Sequence, residues 1–243
     1  MKVFITGASG YIGGSVAAAL LAANHEVSGL ARSDEAATAL ASRGITPVRG
    51  TLVETVFNED TPFTPTPQRA PRVEIDNMVR STAADGVCPI VIAPSLIYGR
   101  GHGPNPDSVQ VPWLIRVAKK FGVAKHIGPG ENRWANVHID DVVALYLLAI
   151  EKAPPGAFYF AENGENSMRE VCEAISRMLG QGGRTESMTV EEAAAEWGEG
   201  PANDTMGSNS RVRAKRARAE LGWQPAARPL IEEIEHGCYA RER

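Results

Sequence analysis

Val3-Phe4-Ile5-Thr6-Gly7-Ala8-Ser9-Gly10-Tyr11-Ile12-Gly13 opens the chain. Val3-Phe4-Ile5 is a short β-prone apolar run, and beyond the glycines Ile12, Val16, Leu20 and Ala23 recur at helical spacing as far as Asn24-His25. The order is strand, tight turn, helix. Gly7 permits the turn, Gly10 lets backbone approach an anion, and Gly13 lets the helix pack closely on the strand, leaving free helix N–H groups aimed at a pyrophosphate. With Ala8, Ser9, Tyr11 and Ile12 completing it, the stretch reads as a dinucleotide-binding turn rather than a purely structural one, because it follows a strand and opens a helix.

Working outward, Glu26 to Ala31 reads as a second strand, Ser33 as a helix cap, Leu40 as an apolar helix position and Gly44 as a C-terminal glycine. Pro47-Val48-Arg49-Gly50 reads as a third strand. This βαβαβ alternation predicts a parallel sheet of the doubly wound, Rossmann type. The end of the second strand meets the adenosine ribose in such folds, and an acidic residue there would repel a 2′-phosphate. This chain has Arg32-Ser33, a guanidinium and a hydroxyl that donate to phosphate oxygens, which favours NADP and leaves NAD open. The other reading makes Arg32 a solvated residue and Ser33 a cap alone.

Beyond Gly50 the alternation stops. Asn58 to Pro67 is a proline-punctuated loop, and periodicity resumes with a helix around Val73 to Ala84. Pro89-Ile90-Val91-Ile92-Ala93-Pro94 reads as a buried strand, and Ser95 to Gly99 leads into a Gly/Pro/Asn loop, then a helix around Val111 to Phe121. Strands 4 and 5 of the 3-2-1-4-5-6 order belong between Thr51 and Cys88, where Leu52-Val53 and Thr55-Val56-Phe57 supply one short strand at most. The expectation is an internal deletion near residues 54–58. The C-terminal third reads as helices joined by short loops, with capping boxes at Ser167/Glu170 and Thr189/Glu192 and Pro229 opening a last helix.

The 243 residues, 43% hydrophobic and 22% charged, suffice for one large core or a main domain with a satellite. A net charge of -4 argues against nucleic acid as a partner. Cys88, Cys172 and Cys238 lack disulfide-framework or zinc spacing. The longest apolar run, Val142 to Ile150, is short of a membrane span. These features point to a cytoplasmic protein with a small-molecule substrate, no metal and no membrane partner; they carry no signal for oligomeric state.

Three segments together resemble the NAD-dependent epimerase/dehydratase family, the extended and atypical short-chain dehydrogenases/reductases. Thr6 to Gly13 is similar to its cofactor turn, Pro94-Ser95-Leu96-Ile97-Tyr98-Gly99-Arg100-Gly101 to its loop beside the nicotinamide, and Asn136-Val137-His138-Ile139-Asp140-Asp141-Val142 to its substrate-domain motif. Ser208 to Arg211 and Leu221 to Pro225 are similar to family endings. The resemblance implies that Pro94, Leu96 and Tyr98 border the cofactor and that Trp134, Asn136 and His138 wall the substrate. It also implies a Rossmann-type domain over 1–135 and a small α-rich substrate lobe over 136–243.

Family members use a tyrosine activated by a lysine four residues later. Tyr11, Tyr98, Tyr146, Tyr159 and Tyr239 are followed at that distance by Ser15, His102, Ile150, Asn163 and Arg243, so no catalytic residue is assigned. Tyr98 reads as packing beneath the cofactor more readily than as a proton donor, which would need a partner tuning its pKa. His138, Asp140 and Asp141 read as a helix start rather than a metal site. The basic residues from Arg211 to Arg218 read as a solvated helix face balancing Glu191, Glu192 and Glu196. Two functions follow: an NAD(P)-dependent oxidoreductase impaired by the deletion, or a catalytically silent dinucleotide-binding sensor or scaffold.

Overall fold

A computed structural model of the chain describes all residues except 6, 7, 9, 10, 32, 33, 50–55, 64, 66–68 and 243. The chain forms two compact units, Met1–Thr55 and Val56–Arg243, and position 135 lies within a strand of the second.

In the first unit the two sequence periods produce β1 (Lys2–Ile5), α1 (Tyr11–Ala22), β2 (Glu26–Ala31), α2 (Asp34–Ala41) and β3 (Thr46–Arg49). The strands form a parallel sheet in the order β1-β2-β3, with Lys2 opposite Glu26 and Ser28 opposite Thr46. Gly29 on β2 has a packing reason. A Cβ there would stand 2.9 Å from Ala8 Cβ and 3.0 Å from both Ile45 and Leu40 side chains, so only glycine lets these residues close over the strand. The core is Ala8, Ala17, Val27, Ala31, Ala37, Leu40 and Ile45. Among the described residues β1 is an edge strand with β2 as its one partner, and Phe4 is 53% exposed.

The second unit runs through α3 (Ala70–Ser81), β4 (Ile90–Pro94), β5 (Leu96–Tyr98), α4 (Gln110–Phe121), β6 (Ala124–Ile127), β7 (Arg133–His138) and α5 (Ile139–Lys152). It continues with β8 (Ala157–Ala161), β9 (Glu165–Ser167), α6 (Met168–Met178), β10 (Thr185–Met188), α7 (Val190–Trp197), α8 (Lys215–Leu221) and α9 (Leu230–His236). Parallel pairs join β4 to β8, β5 to β7 and β6 to β10, while β9 runs antiparallel to β7. One core gathers Tyr98, Ile115, Ile175 and Ile234 between α4, α6 and α9; another gathers Val137, Leu145, Tyr159 and Trp223 around α5 and α8.

Both capping boxes form, at Ser167/Glu170 and Thr189/Glu192. Pro229 stands one place earlier than expected, as the cap before α9. The C-terminal third holds more strand than the sequence indicated. β9 reads Glu165-Asn166-Ser167 and offers no apolar alternation to recognise; its partner β7 makes it a strand.

Between β3 and β4 the described residues hold α3, a 3-10 turn at Thr82–Asp85 and a single parallel bridge, Phe57 to Val212. The adjoining loop is nonetheless fastened within the second unit. Glu59 accepts the backbone N–H groups of Phe160, Lys215 and Arg216 at 3.1, 3.2 and 3.2 Å, so its carboxylate supplies acceptors to the start of α8.

Candidate functional site

In the first unit Gly7, Ser9, Gly10, Arg32 and Ser33 lie outside the described residues, as do the side chains of Tyr11 and Ile12. The frame around the turn is described. Ala8 is fully buried, and α1 begins at Tyr11, so its first unpaired N–H groups stand at the end of the turn. Gly13 lies in the first turn of α1, and a Cβ on the next residue, Gly14, would stand 3.2 Å from the Ala8 carbonyl oxygen. Helix α1 therefore lies close against Ala8, and its free N-terminal N–H groups are the feature on which a dinucleotide phosphate could be held.

In the second unit β5 and β7 bring two sequence-predicted groups together. Leu96 lies opposite Asn136 and Tyr98 opposite His138. Because side chains alternate along a strand, Trp134, Asn136 and His138 share one face of β7. The Tyr98 and His138 rings meet edge to face, 5.2 Å between centroids. Pro94 ends β4 and is exposed. Asn136 is buried and donates through Nδ2 to Asn166 Oδ1 at 3.0 Å, and the Trp134 indole donates to the Ser208 carbonyl at 2.8 Å.

His138 caps α5: its Nδ1 accepts the Asp140 N–H at 3.2 Å, which places the ring proton on Nε2. That nitrogen faces Gly99, where a Cβ would collide with it. Gly99 also has φ of +92°, so glycine is required twice over. Asp141 is buried beside this cap, accepting the N–H groups of Ala226 at 2.9 Å and Ala227 at 3.2 Å, a structural duty. Among the described residues no three His, Cys, Asp or Glu side chains converge as metal ligands.

The buried tyrosines are held protonated. Tyr98 is fully buried and donates to the Arg228 carbonyl at 2.9 Å; burial, reinforced by Asp141 and Glu233, pushes its pKa up. Burial likewise pushes Tyr239 to about 12, its hydroxyl accepting the Gly99 N–H at 2.9 Å. Tyr159 is pushed to about 12 by burial and by its hydrogen bond to Glu220. Each is poorly suited to passing a proton near neutral pH.

The strongest charge arrangement escaped the sequence reading. Glu165, on β9, accepts from Arg133 Nε at 2.8 Å, Arg211 Nε at 3.0 Å and Arg213 Nη1 at 3.2 Å. Burial alone would raise this carboxyl, but Arg211, Arg133 and Arg213 outweigh it and hold it at about 2. The basic stretch is therefore not balanced by Glu191, Glu192 and Glu196. Arg211 and Arg213 face Glu165, Lys215 and Arg216 face Asp60, and Arg218 faces Glu162. Glu192 closes a capping box and Glu196 pairs with Lys120. The alternation Arg211-x-Arg213 was the available signal: two cations pointing the same way on extended backbone.

Residues 1–84 match the NmrA-like family and residues 48–160 the NAD dependent epimerase/dehydratase family. An uncharacterised protein of Schizosaccharomyces pombe is 27% identical over 303 residues, covering 98% of this chain and all of the relative. That alignment is some sixty residues longer than the 243-residue chain that enters it. An oxidase of Acremonium is 31% identical across 66% of the chain and 53% of its own length. Among solved structures, the dTDP-glucose 4,6-dehydratase of Bacillus anthracis in complex with NAD superposes with a TM-score of 0.57 at 17% identity, over 100% of this chain and 94% of that one. The Rossmann-like α/β fold follows from this likeness. Among the described residues no helix is long and apolar enough to cross a membrane.

Proposed function

We propose, from the premise that this chain belongs to the NAD-dependent epimerase/dehydratase family, that it is an NAD(P)-dependent oxidoreductase-like protein for a carbonyl or sugar-like small molecule, with activity impaired by an internal deletion near residues 54–58. The observation that carries this reading is the place of β1. It is an edge strand among the described residues, whereas strand 4 flanks strand 1 in the doubly wound order. The compact units divide between Thr55 and Val56, within the span where the sequence places the deletion. The excess length of the S. pombe alignment supports the same conclusion.

The turn from Gly7 to Gly13 would hold the pyrophosphate, Arg32 and Ser33 a 2′-phosphate, and Pro94, Leu96 and Tyr98 would border the nicotinamide. NADP supplies or accepts hydride when bound. The chain's own residues do the rest: Trp134, Asn136 and His138 line the substrate side. A cytoplasmic setting fits the sequence. The second reading, a silent dinucleotide-binding sensor or scaffold, is favoured by the buried, carbonyl-bonded hydroxyl of Tyr98.

The test is NADPH titration by fluorescence together with NADPH consumption over a panel of aldehydes, ketones and nucleotide sugars. The same measurements are made on a chimera carrying the matching segment of the S. pombe relative between Thr51 and Val56. Binding weaker than micromolar in the chain and restored in the chimera is expected. Micromolar binding with turnover in the unmodified chain would overturn the impairment; restored binding without turnover on any substrate favours the silent reading.

A further inference from the structure

Helix α4 has an inner face, Val111, Leu114, Ile115 and Ala118, buried in the core that holds Tyr98. Around the helix, Trp113, Arg116, Val117 and Lys120 line an open cleft of about 380 Å³, whose other side is Glu196 and Trp197 at the end of α7. None of these six residues belongs to the β5–β7 arrangement. The volume lies within the range of small-molecule sites, roughly 300–1,000 Å³.

The charges in this cavity do not balance. Lys120 Nζ stands 2.5 Å from Glu196 Oε1 and the pair cancels. Among the described residues the Arg116 guanidinium has no acceptor, so the cavity carries one uncompensated positive charge beside two indoles. Those indoles also differ from the other two in the chain. Trp134 and Trp223 donate their ring N–H groups to the carbonyls of Ser208 and Asp141, at 2.8 and 3.0 Å; those of Trp113 and Trp197 have no acceptor among the described residues.

We propose that this cavity binds an aromatic monocarboxylate of one or two rings. The carboxylate takes the planar fork of Arg116 and an indole N–H, a charge-assisted arrangement that lysine could not reproduce. The ring lies against Trp113 and Trp197, where aromatic faces gain from offset or edge contact. A single negative charge matches the single unpaired cation, and a dianion would meet Glu196.

The four indoles allow a direct test. Full-length chain labelled with ¹⁵N is titrated with 2-naphthoate, and with 2-naphthamide as an uncharged control, while the four indole N–H resonances are followed. Trp113→Phe and Trp197→Phe assign two of them. Naphthoate is expected to move those two resonances and leave those of Trp134 and Trp223 in place. Arg116→Gln, an exposed substitution with no partner to lose, should weaken naphthoate binding roughly tenfold or more, the worth of a charge-assisted pair, and leave naphthamide unchanged. Equal binding of acid and amide, shifts confined to the other two indoles, indifference to Arg116→Gln, or no shift at millimolar naphthoate would each overturn the assignment.

Discussion

The two units of this chain solve the same problem with unequal means. Met1–Thr55 has the strand–helix alternation of a mononucleotide-binding half, yet among the described residues four of the seven that form its core are alanine. Phe4, Val16 and Val48 are 53%, 47% and 41% exposed. Val56–Arg243 buries Tyr98, Tyr159, Trp223 and a set of leucine, isoleucine and methionine side chains, and ties its surface with the Glu165, Glu162 and Asp60 ion pairs. Correct secondary structure is thus separable from a sufficient core: the first unit has the former with little of the latter.

The largest effect expected from this difference is in local stability. A unit of 55 residues is near the lower limit for independent folding, and among the described residues its β1 pairs with β2 alone. Hydrogen exchange should show amides of β1, β2 and β3 opening at least about 3 kcal/mol more easily than those of β7 and α6. A single cooperative transition protecting both units equally would break the comparison.

That contrast also marks what was legible. β1 and α1 were readable because their periods are local, and so were the capping boxes at Ser167 and Thr189, where four adjacent residues decide the geometry. β9 was not, because Glu165-Asn166-Ser167 becomes a strand only through β7. The partners of Arg211, Arg213, Lys215 and Arg216 were misassigned for the same reason: Glu165 and Asp60 are remote in sequence, and charge balance along a chain does not say which acid folds back. Trp134, Asn136 and His138 were brought to one face as their spacing of two requires, while the duty of Asp141 toward Ala226 and Ala227 needed the tertiary structure.

Within the second unit the next effect is at Trp223. Its side chain is 2% exposed, its indole donates to Asp141, and the Arg218 guanidinium lies 5.2 Å above its ring. Trp223→Ala should cost about 4 kcal/mol in urea-melt stability, lowering the second transition and leaving first-unit exchange unchanged. Loss of protection in both would show that they unfold as one.

Glu165→Gln is expected to cost about 2 kcal/mol, since it leaves three guanidiniums facing a neutral amide. The pH dependence has a definite sign. The folded pKa is depressed to about 2, so the stabilisation is present above the ordinary carboxylate range and is lost as pH falls from about 4.5 toward 2. Melts of wild type and Glu165→Gln should therefore converge in acid; a constant gap down to pH 2 would show that the side chain acts through packing alone.

The smallest effect is the most discriminating for the first unit. Phe4 stands on β1, an edge strand among the described residues, with more than half of its surface exposed, so Phe4→Thr keeps β propensity and removes little buried area. The expected change is within about 0.5 kcal/mol. In the complete doubly wound order the same position would lie on a central strand, and truncating a buried phenylalanine costs about 3–5 kcal/mol. The substitution therefore reads out directly whether strand 4 is present. Placed in the chimera that carries the S. pombe segment, Phe4→Thr should become several-fold more costly than in the chain itself. The same exposed edge is a template for strand addition, so Phe4→Thr should also slow concentration-dependent aggregation followed by light scattering, and lose that benefit once the chimera covers the edge.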